Sequence, residues 1–133
     1  MGRLKAASER TGIAFPLGRS RLAPQDLPEV LELTRSEDAR ERQLAVRSLC
    51  TCHLQADNPV VGDALLPMLS DPDPRVRREV LHALTDSAPA ARVTVVVSAL
   101  ESLWNDPDLN LRRRVRRTLG YYRRTGKLTD TPT

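Results

Sequence analysis

Aromatic residues are scarce in this 133-residue chain, at 3% of the total. One Trp, two Tyr and one Phe cannot fill the interior of a domain of this length, so leucine, valine and alanine have to form the core. Glycine is also scarce, with six residues scattered singly along the chain. The sequence therefore lacks the glycine-rich loop that cradles phosphate in nucleotide-binding proteins.

Cysteine and long hydrophobic runs are limited as well. The two cysteines, Cys50 and Cys52, are too few and too close together to cross-link a small secreted domain. No apolar signal segment follows the first methionine, and the longest apolar stretches fall short of the about 20 residues that span a membrane. We therefore expect a cytoplasmic protein without a membrane span.

Acidic residues are missing from one end of the chain. Residues 109 to 127 contain eight basic groups and no acid, whereas residues 25 to 108 contain fifteen acidic and eight basic groups. Residues 1–24 add five basic groups and one acid, and residues 128–133 add one acid, so the net charge of +4 combines an acidic body with two basic ends. Such asymmetry predicts an acidic partner.

The sequence repeats itself every 35 residues. A period of this length indicates stacked helical repeats, and it divides the chain into units at about 25–55, 56–88 and 89–124. Equivalent apolar positions form rows across the three units: Val30, Leu65 and Leu100; Leu33, Met68 and Leu103; Ala45, Val80 and Val115; and Leu49, Leu84 and Leu119.

Each unit contains two helical patterns separated by a turn. In the middle unit the apolar spacing predicts a first helix from Pro59 to Leu69 and a second from Pro74 to Leu84, with Asp73 placed to cap the second. The valines between Val93 and Val97 are also compatible with a buried strand when read alone. Their register with the other units predicts a helix instead.

The middle unit resembles a HEAT repeat of the short bacterial kind. The resemblance rests on the block from Leu66 to Arg77, with its Asp and Pro turn and its Val76-Arg77 pair, and it extends over residues 27 to 122. The first unit departs from the pattern, because its turn lacks proline and Glu41 stands where valine belongs. The resemblance implies an all-α short solenoid of about three antiparallel hairpins, whose second helices line a concave, partner-binding face.

We expect the flanking segments to lie outside this stack. Residues 1–24 have no clear apolar period and predict a flexible basic arm, in which Phe15 and Leu17 are candidates for docking on the first unit. Residues 128–133 predict a disordered tail.

Two sets of polar residues recur at the repeat period. One set borders the apolar stripe, where each Asp is placed to cap a helix and each Arg to reach a neighbouring unit, so we interpret it as a structural ladder. The other set points away from the stripe of the second helices and predicts a basic partner-binding grid. The ladder comprises Asp38, Arg42, Asp73, Arg77, Asp108 and Arg112. The grid comprises Arg40, Gln43, Arg47, Arg75, Arg78, His82, Asn110, Arg113 and Arg117, extended by Tyr121 and Arg124.

The grid allows three interpretations. Arginines suit bidentate contact with carboxylates or phosphates, so the first is an adaptor or scaffold that binds an acidic protein. The second is a protein that binds the phosphate backbone of nucleic acid, with Tyr121 and Tyr122 on the basic C-terminal helix available to stack on bases. The third is that these arginines are ordinary solvated helix formers.

Catalytic and metal-binding patterns are weak. Cys50 and Cys52 lie about 200° apart on a helix and cannot face one ion together, so we expect buried thiols and no metal. Neither His53 nor His82 has a partner that fits a catalytic triad. DNA glycosylases built from HEAT-like units use aromatic residues and an acid. Trp104, with Asp106 and Asp108 nearby, is the nearest match to such a site here, but its position at a helix end predicts that it packs against the protein instead. The sequence therefore predicts no enzymatic activity and no cofactor.

Overall fold

The computed structural model describes residues 22–50, 59–86 and 92–128, and all regular structure in these ranges is helical. The helices form the predicted all-α stack of three hairpins. A 3-10 helix (Pro24–Asp26) precedes the first hairpin. The hairpins consist of α1 (Leu27–Leu33) and α2 (Ala39–Ser48), α3 (Pro59–Leu65) and α4 (Pro74–Thr85), and α5 (Val93–Glu101) and α6 (Leu109–Thr125).

The second helix of every unit begins in the same way. Asp38 and Asp73 each accept a hydrogen bond from the backbone N–H two residues later, at 2.8 Å, and Asp108 accepts from the N–H of Leu111 at 2.9 Å. These bonds satisfy N–H groups that lack a partner inside the helix. The first unit forms its cap without the prolines of the other turns, so the aspartate is sufficient to start α2.

The apolar rows meet in one continuous core. Every member of the rows headed by Val30 and Ala45 is at most 2% exposed. Helix α2 packs on α4 and α4 packs on α6, while each first helix packs on the second helix of its unit. The second helices are therefore successive neighbours, which brings equivalent outward positions of adjacent units side by side.

One helix differs from its predicted form. The first helix of the middle unit is α-helical only to Leu65 and continues as a 3-10 helix from Leu66 to Ser70. Pro67 explains the change, because it has no N–H to donate and its ring clashes with the carbonyl four residues before it. The valine-rich segment is helical, as its register predicts.

Both ends of the described chain contact the core. Leu22 is 5% exposed and Leu128 is 7% exposed. Helix α6 ends at Gly126, which adopts a left-handed conformation with φ of 74° and donates to the carbonyl of Tyr122 at 2.7 Å. Phe15 and Leu17 lie outside the described residues, as do residues 129–133, and the boundaries of the arm and the tail remain predictions. No helix in the described ranges has the length and apolar character needed to cross a membrane.

Candidate partner-binding surface

The turn before each second helix has the same hydrogen-bonded form. The side chains of Ser36, Asp71 and Asp106 accept the backbone N–H of the N-cap aspartate two residues later, at 3.1, 2.9 and 2.9 Å respectively. These three residues are themselves 35 positions apart. The sequence therefore encodes the same local turn three times, with serine replacing aspartate in the first unit.

An arginine ladder, formed by Arg42, Arg77 and Arg112, runs along these turns, and its first two members connect successive turns. Each arginine donates from Nη1 to the first carbonyl of its own turn, at 2.8, 2.7 and 3.2 Å. Arg42 also donates to both carboxylate oxygens of Asp71 in the next unit, at 2.8 and 3.1 Å. Arg77 reaches Asp106 in the next unit at 2.9 Å. Periodicity alone does not identify Asp71 and Asp106 as the acceptors, because each lies 29 residues after its arginine.

Glu79 neutralises part of the predicted grid where the first two units meet. Its Oε1 accepts from Nε and Nη2 of Arg47, at 3.1 and 2.8 Å, and from the amide of Gln43 at 3.4 Å. Glu79 is next to Arg78 of the grid in the sequence. The packing of α2 on α4 brings it within ion-pair distance of Arg47. This part of the grid offers little uncompensated positive charge.

Two more grid arginines bind the N-cap aspartates. Arg75 donates to both oxygens of Asp73, at 3.1 and 2.8 Å, and this bonding lowers the pKa of Asp73 to about 2. Arg78 donates to Asp108 at 3.0 Å across the second inter-unit contact. The pKa of Asp108 is lowered first by the N–H of Leu111 and then by Arg78. Both arginines are thus paired with a carboxylate, Arg75 within its own unit and Arg78 across units.

At the contact between the second and third units, the two positions equivalent to the Arg47–Glu79 ion pair are both basic. One repeat after Arg47 and Glu79, the equivalent positions are His82 and Arg114. Two basic groups therefore replace the ion pair. A cleft of about 330 Å³ lies at this contact, lined by His82, Thr85, Asp86, Arg114, Arg117, Thr118 and Leu128.

Exposed arginines are concentrated on α6. Arg113, Arg117 and Arg124 of the predicted grid are exposed, and so is Arg114, which the grid did not include. Within the described ranges these four side chains form no hydrogen bond or ion pair with the protein. Arg40 on α2 and His82 on α4 are also exposed, whereas Tyr121 is half-buried. The sequence could have indicated Arg114, because it lies 35 residues after Glu79 and places a base where the middle unit has an acid.

The aromatic residues of this end, Trp104, Tyr121 and Tyr122, are half-buried. Arg116 and Arg123 lie over the ring of Trp104, with 4.8 and 5.4 Å between each guanidinium carbon and the ring centroid. Trp104 and Tyr122 pack against the core. Trp104 therefore has the packing role that its helix-end position predicts.

One cluster escaped the sequence analysis. Cys50 lies beside His82 and Asp86, and the potential ligand atoms of the three residues are all within 4.8 Å of one another. Spacing in the chain could not reveal this, because His82 and Asp86 belong to the next unit. Cys52 and His53 lie outside the described residues.

The three stacked hairpins, with ladder contacts between successive turns, define an α-solenoid. A family model described as HEAT repeats matches residues 27–120, and the chain belongs to the HEAT-repeat family. HEAT repeats are generally protein-interaction scaffolds and are typically non-catalytic. Comparison with curated proteins gives no match, and neither does comparison with solved structures.

Proposed function

We propose that this chain is a non-catalytic adaptor whose basic α6 surface binds an acidic segment of another protein. The α6 surface consists of Arg113, Arg114, Arg117 and Arg124. The observation that supports this function is that all four are exposed and lack ion-pair partners in the described part of the chain. In the first two units, by contrast, Arg47, Arg75 and Arg78 are each paired with a carboxylate.

The spacing on α6 suits an extended row of carboxylates. Arg113, Arg117 and Arg124 follow one another at intervals of four and seven residues, so they share one face over about 16 Å of helix axis. Guanidinium groups bind carboxylates through paired hydrogen bonds. An acidic helix with carboxylates one or two turns apart, or an acidic tail, complements this row.

A protein partner fits this surface better than a nucleic acid does. Non-specific binding of single strands combines phosphate contacts with aromatic rings on which bases stack. Here Trp104 is covered by Arg116 and Arg123, and Tyr122 packs against the core. Tyr121 is itself half-buried, so in the described part of the chain the α6 surface offers charge without a fully exposed aromatic ring.

A fluorescence anisotropy titration tests the proposal. The probes are a labelled helical peptide with glutamates at four-residue spacing, a duplex DNA and a single-stranded DNA, each measured over a salt series. We expect the acidic peptide to bind and the double variant Arg113→Glu/Arg117→Glu to lose at least about tenfold in affinity, which is about 1.4 kcal/mol.

The single variants Arg113→Glu and Arg117→Glu are measured as well, and Arg35→Glu is the matched control for each of them. The Arg35 side chain is 82% exposed and lies in the first unit, so reversing its charge leaves the α6 surface unchanged. Equal losses from Arg35→Glu and from either α6 single variant would show a general charge effect and contradict the proposal. Tighter binding of either DNA, with steep loss of affinity as salt rises, would assign the surface to nucleic acid instead.

A further inference from the structure

We infer that Cys50, His82 and Asp86 form a binding site for a zinc-class divalent cation. The three side chains offer a sulfur, an imidazole nitrogen and a carboxylate oxygen, which are the ligand types that zinc prefers. They come from two repeat units, with Cys50 just after α2 and the other two residues at the end of α4.

The distances fit tetrahedral coordination. Zinc bonds of about 2.3 Å to sulfur and about 2.1 Å to nitrogen or oxygen separate adjacent ligand atoms by about 3.4 to 3.6 Å. The Cys50 Sγ already lies 3.7 Å from Oδ2 of Asp86, and all three potential ligand atoms fall within 4.8 Å of one another. Side-chain movements that shorten the longest of these separations by at most about 1.4 Å are therefore sufficient to close the site.

The backbone holds two of the ligands on one face. His82 and Asp86 are four residues apart, and the N–H of Asp86 donates to the carbonyl of His82 at 2.9 Å. This bond keeps the chain helical as far as the N–H of Asp86, whose φ of −72° is still helical although its ψ of 113° ends the helix, so both side chains start from one side of the helix end. The arrangement is a helical ligand pair completed by a thiol from the neighbouring unit.

The proposed ion lies between the buried thiol of Cys50 and an open cleft. Cys50 is 1% exposed, whereas His82 and Asp86 line the cleft between α4 and α6. A cation bound by all three residues has its fourth coordination position toward this cleft, where water completes the tetrahedron.

The local charge balance permits a cation here. Zinc binding releases the thiol proton, so a thiolate and a carboxylate oppose the charge of the ion. Arg114 and Arg117 line the same cleft and weaken the binding of a cation. We therefore expect a site that retains Zn²⁺ or Co²⁺ through its thiolate and does not retain Mg²⁺ or Ca²⁺, which prefer oxygen ligands.

Titration of the reduced full chain with Co²⁺ tests this inference. We expect one equivalent to give a thiolate-to-cobalt charge-transfer band together with the intense visible bands of four-coordinate cobalt, and Zn²⁺ to displace it. Cys50→Ser should abolish the charge-transfer band. His82→Ala and Asp86→Asn should each weaken Co²⁺ binding by more than about tenfold, since even outer-shell changes cost about 10- to 100-fold.

His82→Ala is the decisive variant, because His82 is exposed and its truncation leaves the core intact. Circular dichroism checks that each variant retains its helical content. Cys52→Ser and His53→Ala are the matched controls, with binding expected to match that of the wild-type chain.

The inference is overturned if the wild-type chain shows no thiolate-to-cobalt band. It is also overturned if His82→Ala binds with wild-type affinity, or if Cys52→Ser removes the band that Cys50→Ser retains. The cobalt readout does not depend on the acidic-partner proposal, so the two can fail separately.

Discussion

The guanidinium of Arg77 donates from Nη2 to Oδ1 of Asp106 at 2.9 Å, and the two side chains are only 10% and 5% exposed. This contact joins the middle unit to the last one. Arg77 also donates to the carbonyl of Asp71 at 2.7 Å, so one side chain connects the turns of two units. A buried ion pair of this kind is costly to break from one side, because the remaining charge stays buried without its partner.

Replacing Arg77 by methionine should destabilise the stack strongly. Arg77→Met keeps the apolar stem and leaves the Asp106 carboxylate without its counter-charge, which typically costs about 3–5 kcal/mol. Urea denaturation followed by circular dichroism measures the loss. Arg35→Met is the control, because Arg35 and Glu32 are 82% and 77% exposed and 3.9 Å apart, and it should cost less than about 1 kcal/mol. Equal losses in the two variants would contradict the ladder as a source of stability.

Replacing arginine by alanine should lower the free energy of unfolding more at Arg42 than at Arg112, the two ends of the ladder. Arg42 makes two bonds to Asp71 of the next unit, so Arg42→Ala should cost about 1.5–3 kcal/mol. Among the described residues Arg112 donates only to the carbonyl of Asp106, at 3.2 Å, so Arg112→Ala should cost about 1 kcal/mol. Parallel denaturation curves measure the difference. A larger loss for Arg112→Ala would indicate that α6 depends on contacts other than this ladder.

Acid should weaken the fold in part through Asp73. The pKa of this carboxyl is about 2 in the folded chain, against 3.8 for the free group, and its first cause is the hydrogen bond from Arg75. A lowered folded pKa stabilises the fold above pH 3.8, and the contribution is lost as the pH falls toward 2.

Asp73→Asn isolates this effect, because asparagine caps a helix about as well as aspartate but does not titrate. We expect the variant to have a shallower fall in the free energy of unfolding between pH 4 and pH 2 than the wild-type chain. Asp63→Asn removes a carboxylate whose side chain is 75% exposed and controls for net charge. If the free energy of unfolding falls with the same slope in the wild-type chain and in Asp73→Asn, Asp73 is not a source of the acid sensitivity.

Two glycines of α6 should respond to alanine in opposite directions. Gly126 has φ of +74°, and no atom of the described residues lies within 4 Å of an added Cβ, so Gly126→Ala should cost about 1–2 kcal/mol through backbone strain alone. Gly120 is helical, and within the same part of the chain an added Cβ meets only the end of Arg124 at 3.6 Å. Gly120→Ala should therefore stabilise the chain by about 0.5–1 kcal/mol. Thermal denaturation of both variants checks the sign of each change.

Much of the architecture could be predicted because its causes are local. The row of Ala45, Val80 and Val115 repeats at the helix-hairpin period, and all three side chains are fully buried. The capping bonds of the N-cap aspartates lie within their own turns, so short-range spacing was sufficient to identify the caps. The 3-10 segment after Leu65 was missed, although Pro67 provides a local reason for it.

The candidate sites were harder to predict because their chemistry depends on contacts between units. Glu79 and Arg114 occupy equivalent positions, yet one neutralises Arg47 while the other adds charge beside His82. The cluster of Cys50, His82 and Asp86 likewise requires two units to meet. An offset of 35 residues identifies equivalent side chains but does not identify the side chains that touch.

The sequence by itself determined the repeat, the all-helical hairpins, the capped turns and the positive charge of the last helix, since each depends on spacing within a few residues or on simple counts. Only the tertiary structure decided which arginines are neutralised and which side chains surround Cys50. The physical reason is that ion pairs and metal ligands act over a few ångströms, and the stacking of α2 on α4 and of α4 on α6 brings together groups that are about 30 residues apart in the chain.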